Sequence, residues 1–136
     1  VKADKKYYVN STDEYPILFV IAALTEGKSI FKGIGDLANK ESNRIKEMQN
    51  ILKQIGVKSK STKNNLIIFG KDKNILKNKK ILVKNLGDHR ICMSTFVLSI
   101  IIGAKTNIRN FETVNTSSPS FLKIMKKIGA KFEIKK

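Results

Sequence analysis

Cross-linking chemistry is the first thing this sequence lacks. Its one cysteine, Cys92, sits inside an apolar run, so there is no disulfide framework and a reducing, cytoplasmic setting is expected. Membrane-spanning length is missing too. The longest near-apolar run, Ile91 to Ala104, falls short of the roughly 20 residues a bilayer needs and reads as a buried helix. No signal-peptide pattern is visible. The chain opens on Val1 rather than methionine, which leaves room for an upstream segment. Arginine is scarce: of 27 basic residues, Arg44, Arg90 and Arg109 are the only arginines, and the lysines are spread along the whole chain. The net charge of +16 therefore does not by itself make a nucleic-acid reader. Base readers lean on arginine and stacking platforms need exposed aromatics, whereas Tyr7 and Tyr8 are adjacent but isolated. Abundant lysine, isoleucine and asparagine also fit an AT-rich coding sequence. What the charge leaves open is a basic domain binding polyanions non-specifically and salt-dependently. Neither nucleic acid nor membrane is expected as a partner.

What is present is enough for one packed unit. The 136 residues, 41% hydrophobic and 28% charged, describe a globular chain long enough to bury a core. Within it the same order of elements occurs twice. Residues 13–35, "DEYPILFVIAALTEGKSIFKGIG", give an acidic start, a nearly all-apolar helix and a short strand; residues 88–111, "DHRICMSTFVLSIIIGAKTNIRNF", repeat that order. An amphipathic helix follows each time. In 44–58, "RIKEMQNILKQIGVK", Ile45, Met48, Ile51, Leu52 and Ile55 share one helical face. In 119–131, "PSFLKIMKKIGAK", Phe121, Leu122, Met125 and Ile128 do the same. Both helices end on Ile-Gly, at Gly56 and Gly129, a glycine stop that a strand then follows. "NNLIIFG" and "KKILVKN" read as two further strands between the units. The expected class is α/β, with helices packed against sheets and the unit repeating at roughly 75 residues.

Chemistry gathers at the helix starts. The first opens at Asp13 with Pro16 in its first turn, the second with Lys40, Glu41 and Arg44, the third with Asp88, His89 and Arg90, the fourth with Thr116, Ser117, Ser118 and Pro119. Lysine and arginine there oppose the helix macrodipole, so stability alone does not account for them. If duplicated units set their helices roughly parallel, these ends share one face and make an anion site. Lys40 and Arg44, four apart, are then expected to point the same way. Each residue also has a plainer reading. Asp13, Asp88 and the Thr116–Ser118 run serve as caps, Glu41 and Arg44 as a surface pair, and His89 as a local hydrogen-bonding residue.

"DEYPILFVIAAL", "NKESNRIKEM" and "GDHRICMS" together resemble the C-terminal part of the EPSP synthase (3-phosphoshikimate 1-carboxyvinyltransferase) family. The family pattern is an aspartate before a buried helix, then Lys-Glu-Ser/Thr-x-Arg, then Asp-His-Arg, then a Thr/Ser-x-Pro turn. All four occur here in order, from about Ser11 onward.

The resemblance implies a fold of repeated βαβαββ units with buried parallel helices. Here these would be two units, about 13–86 and 87–136, of the second domain, with the N-terminal domain lying outside this chain. It implies transfer of the enolpyruvyl group of phosphoenolpyruvate to the 5-hydroxyl of shikimate 3-phosphate, releasing phosphate. It implies Asp13 as base at that hydroxyl, Glu41 in proton transfer and Lys40 on bound substrate. Arg44 and Arg90 would clamp phosphoenolpyruvate, with His89 as a further catalytic residue near that site. No metal or organic cofactor is implied, and the full-length protein is expected to be a cytoplasmic monomer. Two departures from the pattern stand out. Asn43 replaces the usual aspartate before the arginine, and Thr116 stands where some members carry a lysine. A related enolpyruvyl transferase with a different acceptor remains the alternative within the same fold.

Overall fold

The computed structural model describes residues 2–3, 14–40, 42–76, 80–84, 88–109 and 120–130. Its elements run β1 (Lys2–Ala3), α1 (Tyr15–Ala23), β2 (Gly27–Phe31), a 3-10 turn (Gly35–Asn39), α2 (Arg44–Gln54), β3 (Lys58–Ser61) and β4 (Leu66–Gly70). A second 3-10 turn (Lys73–Leu76) leads to β5 (Lys80–Val83), α3 (His89–Ile102), β6 (Lys105–Ile108) and α4 (Phe121–Lys127).

The first sheet has the order β1-β2-β4-β3, with β1 parallel to β2 and the other two pairings antiparallel. Leu66 and Ile68 of the central β4 point into the core. β3, with the sequence KSKS, lies at the edge, where its lysines discourage pairing with another chain. In the second sheet β5 pairs parallel with β6. Both buried helices, α1 and α3, are therefore crossovers between parallel strands, as antiparallel hairpin turns cannot be. The repetition read from sequence thus has a topological counterpart.

One apolar core serves both halves. Tyr15, Phe19 and Phe31 meet edge-on or tilted, with Phe19 and Phe31 centroids 4.9 Å apart, which seats α1 on the first sheet. The expected face of α2 is buried throughout: Ile45, Met48, Ile51, Leu52 and Ile55. Ile81, Val83, Ile91, Leu98 and Ile102 join the same cluster from the second half. α1, α2 and α3 all pack on one another.

Both glycine stops form as expected, and they are the same motif. Val57 N–H reaches back to the Leu52 carbonyl at 2.9 Å and Gly56 N–H to Lys53 at 3.0 Å. At the end of α4, Ala130 N–H reaches Met125 at 3.0 Å and Gly129 N–H reaches Lys126 at 3.1 Å. Gly56 and Gly129 have φ of 87° and 95°, the left-handed conformation this double bond requires.

Burial departs from expectation at a few positions. α3 reads as wholly buried, yet Ile100 and Ile101 are exposed on its outer side, and Ile128 of α4 is 69% exposed despite lying on the apolar face. Ile21 of α1 and Ile124 of α4 are exposed as well. Apolar periodicity shows which residues can be buried; what covers them is set by neighbouring elements.

Candidate active site

The approach to the site is a strapped loop. After β2, Gly33 N–H donates to Asn65 Oδ1 at 3.2 Å and Ile34 N–H to the Asn64 carbonyl at 2.7 Å, holding residues 33–35 against the β3–β4 turn. A Cβ on Gly35 would stand 2.7 Å from the Lys63 carbonyl oxygen, so only glycine allows this approach. The 3-10 turn then carries the chain to Lys40, exposed and extended at φ −87°, ψ −156°.

The second helix begins later than the charge pattern suggests. Asn43 is its N-cap, with Oδ1 accepting from Lys46 N–H at 3.1 Å, and Arg44 is the first helical residue. The asparagine that departs from the family pattern is as good a cap as aspartate, so the exchange is expected to leave this helix start intact. Lys40 lies outside the helix, so it and Arg44 are not stacked one turn apart, contrary to expectation. Asp13, Glu41 and the Thr116–Pro119 turn lie outside the described residues.

The third helix meets the second at its start. Asp88 caps α3: its Oδ1 accepts from the N–H of Arg90 at 3.1 Å and of Ile91 at 3.4 Å. Its Oδ2 accepts from Arg44 Nε at 3.0 Å and from Ser42 Oγ at 2.7 Å, while Arg44 Nη2 lies 3.4 Å from Oδ1. Arg44 and Asp88 are 1% and 0% exposed, so the ion pair is buried. Two of the four helix starts, 44 residues apart in sequence, are thereby joined at one carboxylate. His89 and Arg90, both half-buried, occupy the first turn of α3 beside it. α4 begins elsewhere: Phe121 packs edge-on against Phe96 in mid-α3, with centroids 5.5 Å apart.

Electrostatics explains why Arg44 is tolerated where it stands. A cation in the first turn opposes the macrodipole, and burial adds a desolvation cost. Asp88 offsets both, and its geometry supplies the hydrogen bonds a buried charge needs. The plain reading of Asp88 as a cap is right and incomplete, since the same group is also an ion-pair partner. Ser42 and this second role of Asp88 went unread in the sequence; only the co-occurrence of the two charged motifs hinted at a meeting. The arrangement gathers two arginines at adjoining helix starts, Arg44 buried and Arg90 half-buried, with an exposed lysine on the preceding turn. Among the described residues this is a setting for polyanionic ligands, and no cluster of three carboxylate, histidine or thiolate donors that could hold a metal occurs there.

Comparison with known proteins identifies the family. The family profile of EPSP synthase (3-phosphoshikimate 1-carboxyvinyltransferase) matches residues 8–125. A 3-phosphoshikimate 1-carboxyvinyltransferase of Clostridium tetani is 40% identical over 114 residues, covering 84% of this chain and 26% of that protein. One from Zymomonas mobilis is 39% identical over 124 residues, 90% of this chain and 27% of its own length. The structure of EPSP synthase from Acinetobacter baumannii superposes with a TM-score of 0.82 at 33% identity, covering 97% of this chain and 30% of that one. The chain thus spans about a quarter of the length of the curated relatives it matches. On fold, sequence and matched extent together, the chain belongs to the EPSP synthase family.

Proposed function

We propose that this chain supplies part of the active site of an enzyme transferring the enolpyruvyl group of phosphoenolpyruvate to the 5-hydroxyl of shikimate 3-phosphate. The single observation that carries the reading is the junction of α2 and α3. There Arg44 and the first turn bearing Arg90 are organised around one buried carboxylate, within the matched stretch of a carboxyvinyltransferase family. Phosphoenolpyruvate carries a carboxylate and a phosphate, and paired arginines suit both as planar forks.

The chemistry asks for little beyond charge and two proton carriers. The 5-hydroxyl loses its proton as its oxygen bonds to the enol carbon, and the methylene terminus takes up a proton. That gives a tetrahedral intermediate, which then loses a proton from the new methyl group and expels phosphate. We assign Asp13 as the base at the hydroxyl and Glu41 to proton transfer, Lys40 to the shikimate 3-phosphate side, and Arg44 and Arg90 to phosphoenolpyruvate. His89 borders that site. No cofactor enters this scheme.

The rest of the site belongs, in this proposal, to a longer chain: an N-terminal domain closing over two repeat units of the second domain. The two units are proposed to run over about residues 13–86 and 87–136, and the matching parallel crossovers around α1 and α3 support a repeat. The exposed isoleucines 21, 100, 101, 124 and 128 support cover from further chain. The 136-residue piece alone is expected to be inactive. The full-length protein is proposed to be cytoplasmic and monomeric.

The test restores the upstream coding sequence and follows phosphate release from phosphoenolpyruvate with and without shikimate 3-phosphate. Release that requires both, and collapses in Asp13→Ala and Arg90→Ala but not in Lys60→Ala, is the expected result. A folded protein with no such release, or one equally indifferent to Arg90 and Lys60, would overturn the assignment.

A further inference from the structure

We infer that Asp88 is a positioning residue that sets both phosphoenolpyruvate-facing arginines at once, with Ser42 fixing its carboxylate; this rests on the reading of the site proposed above. The two oxygens of Asp88 have divided tasks. Oδ1 holds the Arg90 N–H at 3.1 Å and the Ile91 N–H at 3.4 Å, defining the first turn of the helix that carries Arg90. Oδ2 holds Arg44 Nε at 3.0 Å, which orients the plane of that guanidinium. Ser42 Oγ, at 2.7 Å from the same Oδ2, limits rotation of the carboxylate.

A fully buried carboxylate accepting from this many donors has no lone pair left facing a substrate, so Asp88 is not a proton carrier. Its effect on the reaction passes through the arginines. The hub also spans the molecule: Ser42 and Arg44 belong to the entrance of α2, while Asp88 caps α3, 46 and 44 residues further on. A small rotation of this one side chain moves one cation directly and the other through its helix turn. Well-placed groups lose much of their effect when shifted by about an ångström.

Aspartate is the side chain that fits both tasks. In Asp88→Asn the amide keeps an oxygen for the α3 cap, but its NH2 then faces Arg44 Nε donor to donor, while Ser42 Oγ can turn to accept from it. Flipping the amide restores the Arg44 contact and presents the donor to the cap. Either orientation loses half of the hub while volume and burial are retained. Ser42→Ala removes the brace alone.

The experiment uses the full-length enzyme with its upstream domain and steady-state kinetics in both substrates, with thermal unfolding alongside. In Asp88→Asn the KM for phosphoenolpyruvate is expected to rise about 10- to 100-fold, the range of a lost charge-assisted contact. The KM for shikimate 3-phosphate should stay within about threefold, since a change confined to the arginines leaves most of that substrate's binding intact. Ser42→Ala should raise the phosphoenolpyruvate KM by about three- to tenfold, as for one hydrogen bond. It carries the test if Asp88→Asn does not fold. A lower melting temperature with phosphoenolpyruvate KM unchanged in the folded variants would overturn the inference and leave the functional reading standing. A folded wild type without shikimate 3-phosphate-dependent phosphate release would overturn both.

Discussion

Gln54 and Leu82 are joined by two hydrogen bonds that imitate one step of a sheet. Gln54 Nε2 donates to the Leu82 carbonyl at 3.1 Å, and the Leu82 N–H donates to Gln54 Oε1 at 2.8 Å. Leu82 lies in β5, which has β6 as its ladder partner among the described residues, and the glutamine amide covers part of its other edge. α2 is thus fastened to the second half of the molecule at both ends, by Arg44 on Asp88 and by Gln54 on Leu82.

Removing the second fastening should be measurable. Gln54→Ala is expected to cost about 1–2 kcal/mol, two net hydrogen bonds in a partly wet setting. Gln54→Glu should cost at least as much near neutral pH, because a carboxylate has no proton to give the Leu82 carbonyl. Urea denaturation checks this through the midpoint at unchanged slope. A Gln54→Ala midpoint equal to wild type would show that water replaces the amide without loss.

Gly70 is needed for space and Gly56 for conformation, and the two requirements differ in size. A Cβ built on Gly70 would overlap the backbone oxygens of Ala22 and Thr25, atoms fixed by the end of α1. Nothing lies within 4 Å of a Cβ on Gly56, whose φ of +87° is the difficulty. Gly56→Ala should therefore cost about 1–2 kcal/mol, the penalty for a left-handed residue with a Cβ. Gly70→Ala should cost about 3 kcal/mol or more, since backbone must shift. Ranking the two by thermal unfolding settles the matter, and a reversed order contradicts the packing at the α1–β4 corner.

Burial pushes the Tyr15 phenol above its ordinary value of 10.0. Above pH 10 the unfolded chain therefore releases this proton while the folded chain keeps it. The stability linked to Tyr15 is complete below pH 10 and is lost as pH rises through the elevated folded value. As pH rises above 10, the melting temperature of wild type should fall more steeply than that of Tyr15→Phe, which has no phenol to titrate. Parallel curves for the two proteins would remove Tyr15 from the alkaline transition.

Short-range pattern made much of this legible. The Ile45–Ile55 face, the glycine stops at Gly56 and Gly129 and the cap at Asp88 each depend on residues within about two turns, where spacing and residue type decide the outcome. The family motifs added the role proposed for the site, which periodicity does not carry. What sequence did not show depends on chain segments far apart. Nothing local links Arg44 to Asp88 or Gln54 to Leu82, and the exposure of Ile100, Ile101 and Ile128 is fixed by what does or does not lie opposite. Lys40 lies off the helix for a local reason: the asparagine at position 43 caps it, so the charge pattern that begins at Lys40 does not mark its start.

The Arg44–Asp88 pair should separate folding from substrate binding. Arg44→Met leaves the buried Asp88 carboxylate with its cap and Ser42 but no counter-charge, at an expected cost of about 3–5 kcal/mol. Asp88→Asn takes the buried carboxylate from Arg44 and should cost a similar amount. Combining them removes both charges while keeping an acceptor for the α3 cap and an apolar side chain of comparable length in α2. The double variant should therefore be more stable than the sum of the single losses predicts, by about 2–3 kcal/mol in a double-mutant cycle. Recovered stability should not bring recovered function, because the proposed Arg44 contact to phosphoenolpyruvate is gone and Arg90 is left alone of the pair. Additive losses to within about 0.5 kcal/mol would mean the two charges are not coupled in the folded protein. A double variant that regains phosphoenolpyruvate affinity along with stability would show that Arg44 serves only the fold.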